Sequence, residues 1–259
     1  MIASETNIPS PLQVNLQSRV VSRTRGFFWL PLVSILALCF AIITTTAGEV
    51  SSTNSLTPYK MRRVKVEAEL GGAMAQFIFG KCYLDGDGLA KDPVEAVKWL
   101  RKSAEQGFVD AQALLGWCLY TGKVVNPDPV ESVKWIRKAA EQGYGKSQTV
   151  LAYRLLQGVG VTKDTVEAVK WLRKAAEQGE TEAQLKLGVL LSERKELPRD
   201  DAEAYMWLRL AWENGNRDAR RLALEFDQRI RAEDTEKGTK MAQEFRESMG
   251  KSQKPKSAP

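Results

Sequence analysis

Residues 164–179 read DTVEAVKWLRKAAEQG. The same phrase appears as DPVEAVKWLRKSAEQG at 92–107, DPVESVKWIRKAAEQG at 128–143 and DDAEAYMWLRLAWENG at 200–215. The four align without a gap, each starting 36 residues after the last, so Trp99, Trp135, Trp171 and Trp207 fall in register. Self-similarity at such a period marks a stacked array, whose units bury their apolar faces only against one another. Length is then a poor guide to domain count, because an array grows by units and has no single core.

Each phrase carries the signals of one helix, here called helix B. Asp92, Asp128, Asp164 and Asp200 stand at N-cap positions with Glu95, Glu131, Glu167 and Glu203 three residues on, a capping-box pattern. Pro93 and Pro129 take the first helical position, where the missing N–H costs nothing. The glycines at 107, 143, 179 and 215 suit the left-handed residue that closes a helix. Val97, Leu100 and Ala104 mark the buried face, with Trp99 beside it. The Trp row reads as packing, since equal spacing means that the same neighbour is met each time.

Upstream of every B lies a second helical stretch, A: Ala75-QFIFGKCY, Ala111-QALLGWCL, Ser147-QTVLAYRL and Ala183-QLKLGVLL. Small residues at 75, 111, 147 and 183, and again at 80, 116, 152 and 188, let neighbouring helices approach closely. Glycine-containing turns join A to B, as in Asp85-GDG-Leu89, while the fourth repeat reads Arg194-KELP-Arg199 there. Tyr59 to Gly71 aligns with a degenerate B helix, Asp218 to Arg231 reads as a further A helix, and Asp234 to Met249 as a polar closing helix with Met241, Phe245 and Met249 inward. The fold class is all-α, an α-solenoid of stacked antiparallel helix hairpins over residues 59–250. Its full repeats lie at about 72–107, 108–143, 144–179 and 180–215.

The N-terminal segment is of another kind. Residues 26–48 carry no charge, and Phe27 to Ile43 read FFWLPLVSILALCFAII, long enough with Thr44 to Ala47 to span about 30 Å of bilayer. Arg19, Arg23 and Arg25 precede it, which keeps residues 1–25 cytoplasmic and sends the repeats across the membrane. Thr45 and Ala47 also suit signal peptidase cleavage before Gly48, so an uncleaved transmembrane anchor and a removed signal both remain open. Residues 49–58 form a polar linker, and 251–259 read as a disordered basic tail.

The pattern A-Q-x-x-L-G…G-x-G-V-x-x-D-x-x-E-A-x-K-W-x-R-K-A-A-E-Q-G, carried most fully by Gly158 to Gly179, resembles the SEL-like repeat, a relative of the tetratricopeptide repeat. The resemblance covers about residues 72–231. It implies helix pairs stacked into a right-handed superhelix with A helices on the concave side, and a role as adaptor or scaffold in protein complexes. Some secreted relatives hold each repeat with a disulfide and have been linked to β-lactam binding. Cys82 and Cys118 make no such within-repeat pair, so that activity is not carried over.

Composition narrows the chemistry. The chain has no histidine, which removes the commonest metal ligand and every Ser/His or Cys/His nucleophilic pair. Its net charge of +6 comes from intermixed acids and bases, unlike a nucleic-acid surface. Cys82 and Cys118 occupy one position in consecutive repeats, expected roughly 10 Å apart. A disulfide needs about 7 Å between Cα atoms, so both read as small buried hydrophobes. Asp85-Gly86-Asp87-Gly88 reads as a glycine turn and not a calcium loop, and two S-x-x-K matches, at Ser192 and Ser248, read as chance. No catalytic, metal or cofactor residues are assigned.

A functional surface should vary between repeats. On helix A, positions 77, 81 and 84 share one face, opposite 75, 79 and 83. In order that face reads Phe77, Lys81, Leu84; Ala113, Trp117, Tyr120; Thr149, Tyr153, Leu156; and Leu185, Val189, Ser192. Phe77, Trp117, Tyr120, Tyr153 and Leu156 are the candidate partner-binding residues, because exposed aromatics in a groove bury much area for little lost entropy. The alternative is that they pack on adjacent A helices. The basic rows of helix B (Lys98, Lys134, Lys170; Arg101, Arg137, Arg173, Arg209) are expected to face outward on the convex side, interleaved with Glu95, Glu105 and their equivalents, most as solvated i,i+4 pairs, with a patch for acidic lipid headgroups as the alternative. The function expected is a non-enzymatic interaction scaffold at the cell envelope. It binds another protein in its concave groove and the membrane through its N-terminus, with no nucleic acid, small-molecule substrate or cofactor. The rival is an exported envelope hydrolase or β-lactam-recognising protein.

Overall fold

The computed structural model describes residues 57–193 and 200–252, and among these there are eleven α-helices and no strand. The expectations for residues 1–25 and 26–48, most of the linker, the loop at 194–199 and the end of the tail lie outside the described residues. In chain order the helices are α1 (Pro58–Glu69), α2 (Ala73–Asp85), α3 (Pro93–Glu105), α4 (Val109–Thr121), α5 (Pro129–Glu141) and α6 (Gly145–Gln157). They continue as α7 (Thr165–Glu177), α8 (Thr181–Glu193), α9 (Asp201–Glu213), α10 (Arg217–Asp227) and α11 (Ala232–Ser252). Helices α2, α4, α6 and α8 are the A helices; α3, α5, α7 and α9 are the B helices. Each packs on the helix before it and the helix after it.

Half of the expected capping box forms. The Asp92 carboxylate accepts from the Glu95 amide at 3.0 Å, and Asp128, Asp164 and Asp200 do the same at 2.8–2.9 Å. The reciprocal bond is replaced. The Asp92 amide donates to the Tyr83 carbonyl at 3.1 Å, and those of Asp128 and Asp164 to Leu119 and Leu155. The preceding A helix thus takes the donor that the box would have used, and the glutamates are free for another task. At the other end Gly107, at φ 88°, closes α3 with a Schellman pair: its amide donates to Ala104 and that of Phe108 to Ser103.

The core follows the hairpin seams. Leu100, Leu115, Leu151, Leu155, Leu172 and Leu187 are wholly buried. The small residues act at the seams as their spacing implies. A Cβ on Gly116 would lie 2.6 Å from Ile136 Cγ1, and one on Gly188 2.7 Å from Leu208 Cγ. Cys82 and Cys118 are buried free thiols.

A buried glutamine row, which the sequence reading passed over, ties the units together. Nε2 of Gln76, Gln112, Gln148 and Gln184 donates to the carbonyl of Ala68, Ala104, Ala140 and Ala176 at 3.0–3.2 Å. Each also accepts through Oε1 from Gln106, Gln142, Gln178 or Asn214 at 2.7–2.9 Å. One side chain so joins the end of the previous B helix to the end of its own.

The ends are closed. Helix α1 lays Met61 and Ala68 inward, and α11 packs on α9, setting Phe245 edge-on to Trp207 at 5.5 Å. Met241, Phe245 and Met249 are half-buried, as befits an amphipathic cap.

Candidate protein-binding groove

On the A-helix side, α2, α4 and α6 border a hollow of about 570 Å³ floored in part by Ile136. Phe77, Trp117 and Tyr120 line it, with Ala113 and Val150. Trp117 is 50% exposed and Tyr120 38%, whereas the indoles at the Trp99 register are half-buried or buried. Phe77 is steadied by Phe108, whose ring centroid lies 5.2 Å away.

The other two candidates sit elsewhere. The Tyr153 hydroxyl donates to Glu182 Oε1 at 2.8 Å and Lys186 lies over its ring, so this side chain is turned toward α8. Burial, and then the adjacent Glu182 carboxylate, push its phenol well above the ordinary value. Leu156 is half-buried against the core that runs from Val133 and Ile136 of the second repeat to the C-terminal cap. Thr149 is buried, its hydroxyl donating to the Gly145 carbonyl at 3.0 Å. The variable face is therefore most open in the second repeat, at Trp117 and Tyr120, while Phe77 and Leu84 in the first are half-buried and the third is largely packed.

Of the polar residues at the hollow, Lys81 lies on the face read from the sequence, while Arg154, Lys146 and Asp110 do not. Arg154 stacks its guanidinium 3.3 Å from the centroid of the Tyr120 ring, and Lys81, Lys146 and Asp110 also line the hollow. Arg154 lies one residue beyond the face chosen from the sequence, and its side chain reaches round to the groove. Its signal was a charge amid apolar helix-A positions.

Three of the four arginines in the helix B row depart from the expected i,i+4 pairing, while Arg209 keeps it, donating to Glu213 at 3.0 Å. Arg101, Arg137 and Arg173 each make a two-pronged ion pair with the glutamate of the next repeat, Glu131, Glu167 and Glu203, rather than i,i+4 pairs. The second contact of each, Nη2 to Oε2, measures 3.1, 3.5 and 3.2 Å. The same glutamates accept from the indole N–H of Trp135, Trp171 and Trp207 at 3.1 Å. Lys102, Lys138 and Lys174 lie 4.0–4.4 Å over the Trp99, Trp135 and Trp171 rings. The guanidinium beside each holds the Glu131 and Glu167 carboxyls below the usual range, against the opposing effect of burial. These residues link repeats. Of the lysine row, Lys98 pairs with Glu95 at 2.9 Å within its own helix.

Burial pushes the Cys118 thiol up to about 11, so it is a poor nucleophile. Asp85 to Gly88 forms a turn in which the amides of Gly86 and Asp87 donate to the Cys82 carbonyl. Among the described residues no three His, Cys, Asp or Glu side chains are grouped to hold a metal.

A hairpin stack with inter-repeat ladders and an aromatic hollow defines a helical-repeat protein of the tetratricopeptide-like class. A model of the Sel1 repeat matches residues 73–108, 109–144, 145–180 and 181–216, and the chain belongs to this family. Sel1 repeat proteins are helical-repeat scaffolds for protein interaction. The crystal structure of a Sel1 repeat protein from Oxalobacter formigenes is 30% identical, with 71% of this chain and 72% of that one covered and a TM-score of 0.56. The protective antigen c5321 of uropathogenic Escherichia coli, which displays an SLR fold, is 28% identical at TM-score 0.49. There 77% of this chain and 52% of the antigen are covered, so the match spans about half of the antigen's length. Cysteine-rich protein B of Helicobacter pylori is 22% identical, covering 49% of this chain and 95% of that one, at TM-score 0.39. The comparison with curated proteins found no match.

Proposed function

We propose that this chain is a non-enzymatic interaction scaffold of the cell envelope that binds a partner protein in the A-helix hollow. In this reading its apolar N-terminal segment places the repeats outside the cytoplasm. One observation carries the binding reading. The letters that recur at the 36-residue period are spent on caps, ladders and core, while Trp117 and Tyr120, which do not recur, stay exposed around an apolar hollow. Aromatic side chains held open by a rigid support are hot-spot material. The location rests on the uncharged 26–48 run and the arginines before it; among the described residues no helix is long and apolar enough to cross a membrane.

The test places a photo-crosslinking amino acid at position 117 of the full chain in its native membrane, and in a second protein at position 170 on helix B. A discrete adduct from 117 and none from 170 is the expected result; adducts from 170 alone would sink the groove reading. Protease added outside the inner membrane should digest the repeats, and the mass of the mature N-terminus separates a retained anchor from a removed signal.

A further inference from the structure

Position 154 departs from the rule that its own repeats set. Cys82 and Cys118 hold the equivalent place in the first two units and Leu190 holds it in the fourth, all of them apolar and the cysteines buried. The third unit puts Arg154 there. Its Nε is buried without a hydrogen-bond partner, and Nη1 reaches Gln157 Oε1 at a long 3.4 Å. No carboxylate pairs with it among the described residues; its close companion is the Tyr120 ring, 3.3 Å away. With Nε buried and the guanidinium laid on an aromatic face, the donors at its Nη end are the ones open to a partner.

The surroundings carry the same sign. Lys81 and Lys146 line the hollow and make no ion pair among the described residues, while the lining carboxylate, Asp110, sits in the first turn of α4, where the helix N-terminus already favours it. Three cations thus face one carboxylate around an apolar floor. Elsewhere in the stack the arginines behave differently, since Arg101, Arg137 and Arg173 are each matched by a glutamate of the neighbouring repeat.

We propose that the occupant of the hollow is a polypeptide segment presenting an Asp or Glu carboxylate beside an aromatic or aliphatic side chain. The apolar group seats against Trp117 and Phe77, and the carboxylate takes the unspent donors of Arg154, with Lys81 and Lys146 at the rim. A carboxylate matches the planar fork of arginine, and Tyr120 holds that fork in place before the ligand arrives. The inference rests on the reading that the hollow binds a protein, and adds the chemistry of what it binds.

The test pans a displayed library of random dodecapeptides against the detergent-solubilised full chain, with Trp117→Ala as the counter-screen. The expected peptides carry Asp or Glu next to a large apolar residue, bind the Trp117→Ala protein at least tenfold more weakly, and weaken as salt rises. Arg154→Leu installs the residue type that the fourth repeat already holds, so circular dichroism should report an intact fold. Replacing the peptide Glu by Gln should cost about tenfold against the parent chain and nothing further against Arg154→Leu, the coupling expected of a direct pair. Equal losses against both proteins would overturn the pairing. Peptides that need Trp117 but show no acidic preference would overturn this inference while leaving the groove as a binding site. If no peptide depends on Trp117, both readings fall.

Discussion

At the residue scale the repeated spacing hides two unlike jobs. Gln112 is buried and bonded at both ends, to the Ala104 carbonyl at 3.1 Å and from Gln142 at 2.7 Å. Gln112→Leu keeps the volume but removes both of these bonds, leaving the Ala104 carbonyl only the Gly107 amide and taking an acceptor from Gln142, so it should destabilise by about 1–3 kcal/mol in urea unfolding. Gly116 is fixed by contact instead of bonding, because a Cβ there would meet Ile136 Cγ1 at 2.6 Å. Gly116→Ala should cost about 1–3 kcal/mol by overpacking. The third repeat carries Ala152 at this place and Leu172 where Ile136 stands, so adding Ile136→Leu should recover part of the loss. An unrelieved double variant would show that the seam is set by backbone and not by this side chain.

At the element scale the B helices are started locally and joined at a distance. Asp164→Ala removes the bond to the Glu167 amide, measured at 2.8 Å, and should lower stability by about 1 kcal/mol. The Arg137–Glu167 pair acts between elements, and its sign with pH follows from the lowered Glu167 value. A carboxyl whose folded value lies below its ordinary 4.5 contributes in full above that pH and loses its contribution as pH falls through the folded value. Arg137→Met should therefore reduce stability at pH 7 modestly, as expected of a pair one-third exposed, and flatten the pH dependence below about 4.5. Thermal melts from pH 3 to 7 give both readings. An unchanged acid limb would mean that the ladder carries no pH-linked stability. The 30-residue separation of these pairs brings the late part of one B helix against the first turn of the next, an offset of about six residues or 9 Å along the helix.

At the scale of the whole molecule, units that touch only their neighbours should fail locally. Ending the chain after Ile230 removes α11 and uncovers Trp207, Tyr205 and Met206 on α9, all buried in the intact protein. Amide exchange should then accelerate in α9 and α10 while α2 to α5 keep their protection, since stability in such arrays is a sum of nearest-neighbour interfaces. Uniform loss along the stack would mean a single cooperative unit. Much of this architecture was legible beforehand. The Asp…Gly bounds of helix B, the small residues at 80, 116 and 188 and the closing role of Phe245 were all readable, because caps, periodicity and close approaches leave local marks. The groove was legible in part: Phe77, Trp117 and Tyr120 line it, but the face that selected them also selected Tyr153, which turns to Glu182, and omitted Arg154.

The sequence by itself determined the period, the helix bounds, the register of the tryptophans and the absence of histidine chemistry, since each depends on residue type and spacing along one chain. The tertiary structure decided which side chains meet across that spacing. It sent Arg101 to Glu131 instead of Glu105, gave the glutamines their paired bonds, and turned a cationic Arg154 into the wall of a hollow. The physical reason is that those partners are set by how far one hairpin slides along the next, and that slide is fixed only when the buried faces have packed.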